Sequence, residues 1–309
     1  MYKANSKSHI AQPFLKWAGG KRQLLKEIET LLPEEISKTH RINCYIEPFV
    51  GGGAVLFYLL SNYDVKEVII NDINSDLMLT YRVIQSNVDE LINELRKIEG
   101  EFLSLNEEKR REFYYKDLRL KFNMQDVTKS LTKTELIQRA ALMIALNKTC
   151  FNGLFRQNSK GEFNVPYGRY KKPKILDKEN LLEDSKILRN VEIYCTSYKA
   201  IPYSKYGKSL IYFDPPYRPL SKSSSFTKYS KEDFNDGDQV QLADLFKELD
   251  KQGHDLILSN SDPTNTNKRD LFFDELYKGF NIRRVLAKRY INSNASGRNS
   301  INEILITNY

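Results

Sequence analysis

Cysteine is scarce in this sequence, and its placement cannot form a framework. Cys44, Cys150 and Cys195 are the three thiols of 309 residues, odd in number and far apart. That spacing excludes a disulfide scaffold and a zinc site, and reads as reduced thiols in or near the core of a cytoplasmic protein. The three histidines, His9, His40 and His254, show no metal or triad spacing. They read as surface or incidental side chains, and no metal is expected. Long apolar runs are also missing. The longest, residues 140–146, falls well short of the ~18 residues a membrane helix needs. The opening MYKANSKSHI has no apolar stretch of the kind a secretion signal carries. The expected location is cytoplasmic, with no membrane partner.

Positive charge, by contrast, is in excess. Lysine and arginine number 48 against 40 acidic residues, a formal charge of +8. Such a balance suits a polyanionic partner. It equally suits a solvated, lysine-rich surface, so charge alone does not choose. A hydrophobic content of 40% is that of an ordinary folded chain.

Along the chain, strand and helix signals alternate. Residues 43–47 read as a short apolar strand, followed by three glycines and a helix at 54–60. Residues 67–71 read as a second buried strand that ends at Asp72, with helices at 76–85 and 88–98. Alternation of this kind predicts a parallel, doubly wound sheet. Residues 101–148 are helical and charged without a strand signal, and 151–170 are polar, aromatic and punctuated by glycine. Ser159-Lys160-Gly161 there reads as a hairpin turn. A helix at 178–188 and a strand at 192–195 follow, then strand 210–213, helix 239–251, strand 255–258 and helix 268–276. Two last strands, 282–287 and 301–307, are expected to pair antiparallel at one end of the sheet. The expectation is an α/β domain formed by residues 1–74 and 176–309. A mostly helical insertion that carries a hairpin occupies residues 75–175.

Three segments carry chemistry. Glu47-Pro48-Phe49-Val50-Gly51-Gly52-Gly53 ends the first strand, where glycines let a ligand approach the backbone closely. Asp72 ends the next strand, about 20 residues on, where an acid can accept hydrogen bonds from ribose hydroxyls. A structural turn gives the same glycine pattern, which differs from the G-x-G-x-x-G of dinucleotide folds. Asp214-Pro215-Pro216-Tyr217 follows strand SLIYF directly. Two prolines can neither continue a central strand nor both begin a helix, so they hold a rigid, extended turn. From that turn a carboxylate and a carbonyl can accept both hydrogens of an exocyclic amine, and a tyrosine ring can stack on its base. The third segment, Phe14-Leu15-Lys16-Trp17-Ala18-Gly19-Gly20-Lys21, holds the one tryptophan. It reads as a Gly turn with a core Trp, or as a loop under a cofactor with Lys21 facing a carboxylate or the backbone turn.

In this order the three segments resemble the Dam-type, alpha-group DNA adenine-N6 methyltransferases, in particular the GATC-specific subgroup. The likeness continues through residues 151–156 and 161–170, which look like that group's recognition hairpin. It extends to LSKSSSFT at 220–227 and Leu258-Ser259-Asn260. It implies a Rossmann-like S-adenosylmethionine-dependent methyltransferase domain with a target-recognition insertion, acting on double-stranded DNA. It implies that Trp17, Ala18, Gly19, Lys21, Glu47, Pro48, Phe49, Gly51, Gly53, Asp72 and Asp214 hold S-adenosylmethionine. Asp214, Pro215, Pro216 and Tyr217 would hold the target adenine. Lys16, Asn152, Leu154, Arg156 and Tyr170 would meet bases, Arg169 a phosphate, and Phe151 the DNA. One departure is Thr196-Ser197-Tyr198, where some members carry an acidic residue, so that loop is given no catalytic role. The strip Tyr167, Arg169, Tyr170, Lys171, Lys172 and Lys174 reads as a solvated loop or, since it follows the hairpin, as a phosphate grip, and residues 221–228 as a linker or a mobile loop. The likeness leaves open a companion restriction endonuclease acting on the same site or a solitary role. Two rival readings are an adenine methyltransferase for RNA and a DNA-binding regulator without catalysis.

Overall fold

The computed structural model describes residues 10–17, 19–125, 130–218, 234–287 and 301–309. In chain order its elements are α1 (Leu25–Glu29), α2 (Glu34–Thr39), β1 (Arg41–Glu47), α3 (Ala54–Asn62), β2 (Asp64–Asn71), α4 (Ser75–Ser86), α5 (Val88–Ser104), α6 (Glu107–Phe113), α7 (Lys121–Met124), α8 (Lys133–Thr149), α9 (Lys178–Leu188), β3 (Val191–Tyr194), β4 (Leu210–Phe213), α10 (Asp236–Lys251), β5 (Asp255–Ser261), α11 (Phe272–Leu276), β6 (Asn281–Ala287) and β7 (Ile301–Thr307). They divide between two compact units.

The unit formed by Gly20–Val50, Asn62–Asn74 and Glu192–Tyr309 is built on one sheet. Among the described residues its strand order is β3-β2-β1-β4-β5-β7-β6. β1 runs parallel to β2 and β4, and β4 parallel to β5. β7 is antiparallel to both β5 and β6. The chain is thus an α/β protein with a mixed sheet, and the two last strands pair antiparallel as their sequence predicts. β4 is buried at every residue, Leu210-Ile211-Tyr212-Phe213. An unbroken apolar run of that kind is what a strand covered on both faces requires. β2 begins exposed and buries only Val68-Ile69-Ile70-Asn71. Around Ile46, Ile69, Ile211, Phe213 and Leu258 the core is completed by Leu242 and Phe246 of α10 and by Phe273 and Tyr277.

One helix is shorter than its sequence predicts, and one short helix is not predicted. The helix expected at 268–276 shrinks to α11, because Asp270 Oδ1 accepts from the Phe272 amide and stops the helix from starting earlier. The short α2 was not foreseen: six residues carry too little periodicity to read.

The other unit comprises Met1–Gly19, Gly51–Ser61 and Ser75–Val191. α5 buries Leu91, Ile92, Leu95, Ile98 and Phe102, the stripe of an amphipathic helix. α8 is buried nearly all round and starts from a capping box, Thr132 with Glu135. Within it Arg139 pairs with Asp76 of α4, Nε to Oδ1 at 2.8 Å and Nη2 to Oδ2 at 3.1 Å, both side chains buried. The Arg139 guanidinium also lies over the Phe122 ring. After α8 the chain forms the expected hairpin. Gly161 donates to the Asn158 carbonyl at 2.9 Å, which places Ser159 and Lys160 at the tip.

Cys44 and Cys150 are buried, whereas Cys195 is exposed. His254 is not at the surface: it is buried and accepts from the Ser209 amide at Nδ1, 3.2 Å. His40 closes α2 in a left-handed conformation with φ 53°. His9 lies outside the described residues.

Candidate active site

The strand order reverses between β1 and β4, which makes the carboxyl ends of these strands the place where an open α/β sheet takes its ligands. Asp214 leaves β4 at that edge. Its Oδ1 is 2.7 Å from Lys21 Nζ and accepts from Ser259 Oγ at 2.9 Å. Burial pushes the Asp214 carboxyl above its ordinary value, against the opposing pull of Lys21 and Ser259. Pro215 and Pro216 hold the turn, and Gln239 of α10 donates from Nε2 to the Pro216 carbonyl at 3.1 Å. Asn260 donates in turn to Gln239 Oε1 at 3.2 Å and accepts from the Arg218 amide at 3.2 Å. Gln239 and Asn260 are both fully buried. The turn is therefore anchored on its carbonyl and on its exit.

Tyr217 is fixed at two points. Its hydroxyl donates to Glu303 Oε2 at 2.5 Å, and Lys21 Nζ lies 4.5 Å from its ring centroid. Burial, with the carboxylates of Asp214 and Glu303, keeps the hydroxyl protonated by raising its pKa. Lys21, Asp214 and Tyr217 thus form one cluster in this unit.

Two further acids lie at the carboxyl ends of β1 and β2. Glu47 is buried and accepts from Tyr45 Oη at 2.7 Å. Asp72 Oδ1 accepts from the Asn74 amide at 2.9 Å. Asn71 donates from Nδ2 to the carbonyls of Pro48 at 2.9 Å and Thr196 at 3.0 Å, and accepts from the Thr196 amide. The Thr196-Ser197-Tyr198 loop is therefore a strut tied to β2, and Phe49 packs on Tyr198 with ring centroids 5.1 Å apart. Ile73 is exposed (59%) directly after Asp72, an apolar surface that the sequence reading passed over.

In the other unit, Trp17 lies against the glycine turn. A Cβ on Gly51 would sit 2.8 Å from Trp17 Cδ1, and Gly51 has φ +48°. Gly53 has φ +74°, and a Cβ there would meet Tyr81 Oη at 2.5 Å. Both conditions demand glycine. Tyr81 Oη donates to the Gly51 carbonyl at 3.1 Å and so fixes the turn from below. Gly19 has φ +74°. Ala18 lies outside the described residues, as do residues 220–227 and 221–228.

The hairpin is pinned at its base by Phe151 N to Pro166 O and Gly168 N to Thr149 O, each 2.8 Å. Phe151 and Asn152 stand exposed there, and Leu154 is half-buried. Asn152 and Arg169 both adopt left-handed φ, 58° and 55°, unusual for residues with a side chain. Such strained backbone gathers at working positions. Arg156 is half-buried and donates from Nε to Asn164 Oδ1 at 2.8 Å and from Nη2 to the Asn164 carbonyl at 3.5 Å. Lys16 is held by its backbone to Asn147, with Nζ 5.8 Å from the Tyr170 ring centroid. Lys16, Gly153, Asn147 and Tyr170 thus come together.

Residues 17–291 match the family described as D12 class N6 adenine-specific DNA methyltransferase. The type II methyltransferase M.MjaIII of Methanocaldococcus jannaschii is 55% identical over 299 residues, 96% of this chain and 99% of that protein. The type II methyltransferase M1.LlaDCHI of Lactococcus lactis is 42% identical over 96% of this chain and 95% of its own length. The DNA adenine methylase of Escherichia coli is 35% identical over 94% of this chain and 93% of its own.

Proposed function

Since the chain belongs to the D12 class of N6 adenine-specific DNA methyltransferases, we propose a mechanism in which the target adenine leaves the duplex and is held by Asp214, Pro215, Pro216 and Tyr217. The protein is an adenine-specific DNA methyltransferase with S-adenosylmethionine as cofactor. The observation that carries the mechanism is the anchored turn after β4, where a carboxylate and an aromatic ring share Lys21.

When bound, S-adenosylmethionine supplies a methyl group already activated by a sulfonium. The obstacle is the nucleophile, because the adenine amine is conjugated with its ring and paired in the duplex. Extrusion of the base costs a few kcal/mol, and stacking on Tyr217 returns ~1–3 kcal/mol of it. The Asp214 carboxylate and the Pro215 carbonyl accept the two N–H hydrogens and turn the lone pair outward. Orientation alone can lower the barrier by several kcal/mol. The proton of the product leaves to Asp214 or to water.

The donor set fits the cofactor. An acid, Asp72, follows β2 where ribose hydroxyls are met, and exposed Ile73 beside it offers an apolar surface to an adenine ring. Trp17, Ala18, Gly19, Lys21, Glu47, Pro48, Phe49, Gly51, Gly53, Asp72 and Asp214 are assigned to it. We assign residues 75–175 to target recognition. Arg156, held by Asn164, is assigned to read a guanine in the major groove. Lys16, Phe151, Asn152, Leu154 and Tyr170 meet neighbouring bases, and Arg169 a phosphate. The likeness of the hairpin to that of the GATC-specific subgroup supports GATC as the target. The two type II relatives suggest a companion restriction endonuclease.

Incubation with tritiated S-adenosylmethionine and two unmethylated duplexes, identical except that one GATC is scrambled, tests this reading. Label confined to adenine of the GATC duplex, lost in Asp214→Ala, is the expected result. Equal label in both duplexes would remove the GATC assignment, and full activity in Asp214→Ala would remove the amine-holding role.

A further inference from the structure

Tyr217 stands on a backbone that two prolines make rigid, yet its ring retains two torsions of its own. A base stacked on a ring that swings is not aligned. Two contacts prevent that motion. Lys21 Nζ covers one face at 4.5 Å from the centroid, so a base must use the opposite face. The hydroxyl donates to Glu303 Oε2 at 2.5 Å, a charge-assisted bond of the strong kind. Glu303 belongs to β7, opposite Ser261 of β5 and Val285 of β6. It therefore reaches Tyr217 from a strand paired on both sides, which is a rigid support for a working side chain.

We infer that Glu303 is a positioning residue for methyl transfer: through the Tyr217 hydroxyl it locks the plane on which the extruded adenine stacks. The inference rests on the reading of Tyr217 as the stacking side chain. Loss of the lock leaves the base extruded but poorly aligned. It therefore lowers the rate of the chemical step more than the affinity for DNA.

The experiment compares wild type with Glu303→Ala, Glu303→Gln, Tyr217→Phe, Tyr217→Ala and the double variant Tyr217→Phe/Glu303→Ala. Single-turnover methylation is measured on the duplex that wild type methylates, together with DNA affinity. The fluorescence of 2-aminopurine at the target position reports extrusion and stacking. Glu303→Ala and Tyr217→Phe should each slow the chemical step by roughly tenfold to a hundredfold, the scale of an ångström misplacement. DNA affinity should change far less. The double variant should be no slower than either single one, since both delete the same hydrogen bond. Glu303→Gln keeps an acceptor and should recover most of the rate. The 2-aminopurine signal should rise in Glu303→Ala, as a base stacked on a loose ring is less quenched.

Losses that multiply in the double variant, or a wild-type rate and fluorescence in Glu303→Ala, would overturn the inference. If Glu303→Ala does not fold, the slowed step in Tyr217→Phe with recovery in Glu303→Gln supports it. A wild-type rate in Tyr217→Phe overturns it. A fully active Tyr217→Ala would instead overturn the reading of Tyr217 itself, and an inactive Tyr217→Ala beside an unaffected Glu303→Ala would sink the positioning role alone.

Discussion

Lys21 Nζ and Asp214 Oδ1 meet at 2.7 Å with the lysine side chain buried, so the carboxylate proposed to accept from the target amine is paired with a cation. Burial still wins: the Asp214 carboxyl titrates above its ordinary 3.8 despite Lys21 and Ser259. Ionised Asp214 accepts an N–H, and protonated Asp214 cannot offer the same two-oxygen acceptor. Transfer should therefore fail as the pH falls through a value above 3.8, seen as the acid limb of the single-turnover rate. Lys21→Met removes the opposing charge, so that limb should move to higher pH. A limb that stays in place would show that Lys21 does not govern Asp214.

The same shift has a stability consequence of opposite sign. A carboxyl whose folded pKa is raised stabilises the fold below its unfolded pKa, and that contribution is lost as pH rises through the folded value. An ionised Asp214 is thus held in the fold at some cost. Asp214→Asn should abolish transfer and yet raise the melting temperature at pH 8, the usual trade at a working site. A lowered melting temperature would mean that the Lys21 pair outweighs the burial.

Much of this site is legible in the sequence because local rules set it. The run Leu210-Ile211-Tyr212-Phe213 broken by two prolines can only be a buried strand that ends in a stiff turn. The glycines at 51 and 53 mark positive φ, and the hairpin tip lies where Ser159-Lys160-Gly161 puts it. What escapes is set by partners distant in the chain. Glu303 is 86 residues from Tyr217, and no local pattern marks it. Gln239 reads as the first turn of an ordinary helix, yet it is buried and spans 23 residues to hold Pro216. His254 looks incidental until Ser209 is found beside it.

The buried pair Arg139 and Asp76 yields a prediction on stability. Each side chain is only 5% exposed, so removing one leaves the other charged and unpaired. Arg139→Met or Asp76→Asn should each cost about 3–5 kcal/mol in urea unfolding. The double variant should cost markedly less than the sum. Strictly additive losses would show that the two charges do not compensate each other in the fold.

The roles proposed for the hairpin separate reading from gripping. Arg156→Ala should relax discrimination at one base pair by ~1–3 kcal/mol and alter the salt dependence of binding little. Lys171 and Lys172 are exposed beside it. Neutralising either to Gln should weaken all duplexes alike and reduce the slope of log affinity against log salt by about 1. Binding titrations at several salt concentrations on matched and mismatched duplexes decide between these signatures. A salt slope unchanged in Lys171→Gln/Lys172→Gln would assign the strip to a solvated surface.

Asp184 in α9 gives the sharpest pH signature. It is fully buried, accepts from Asn180 Nδ2 at 2.8 Å, and burial pushes its carboxyl up to about 9. Its stabilising contribution is complete below 3.8 and is lost progressively as the pH rises toward 9. Asp184→Asn keeps the shape without a titrating group. The variant should gain on wild type by at most about 1.4 kcal/mol per pH unit across that window. Melting temperatures at pH 5 and pH 8 should therefore diverge between the two proteins. Curves that stay parallel would mean that Asp184 is already ionised in the fold, paired more strongly than its burial suggests.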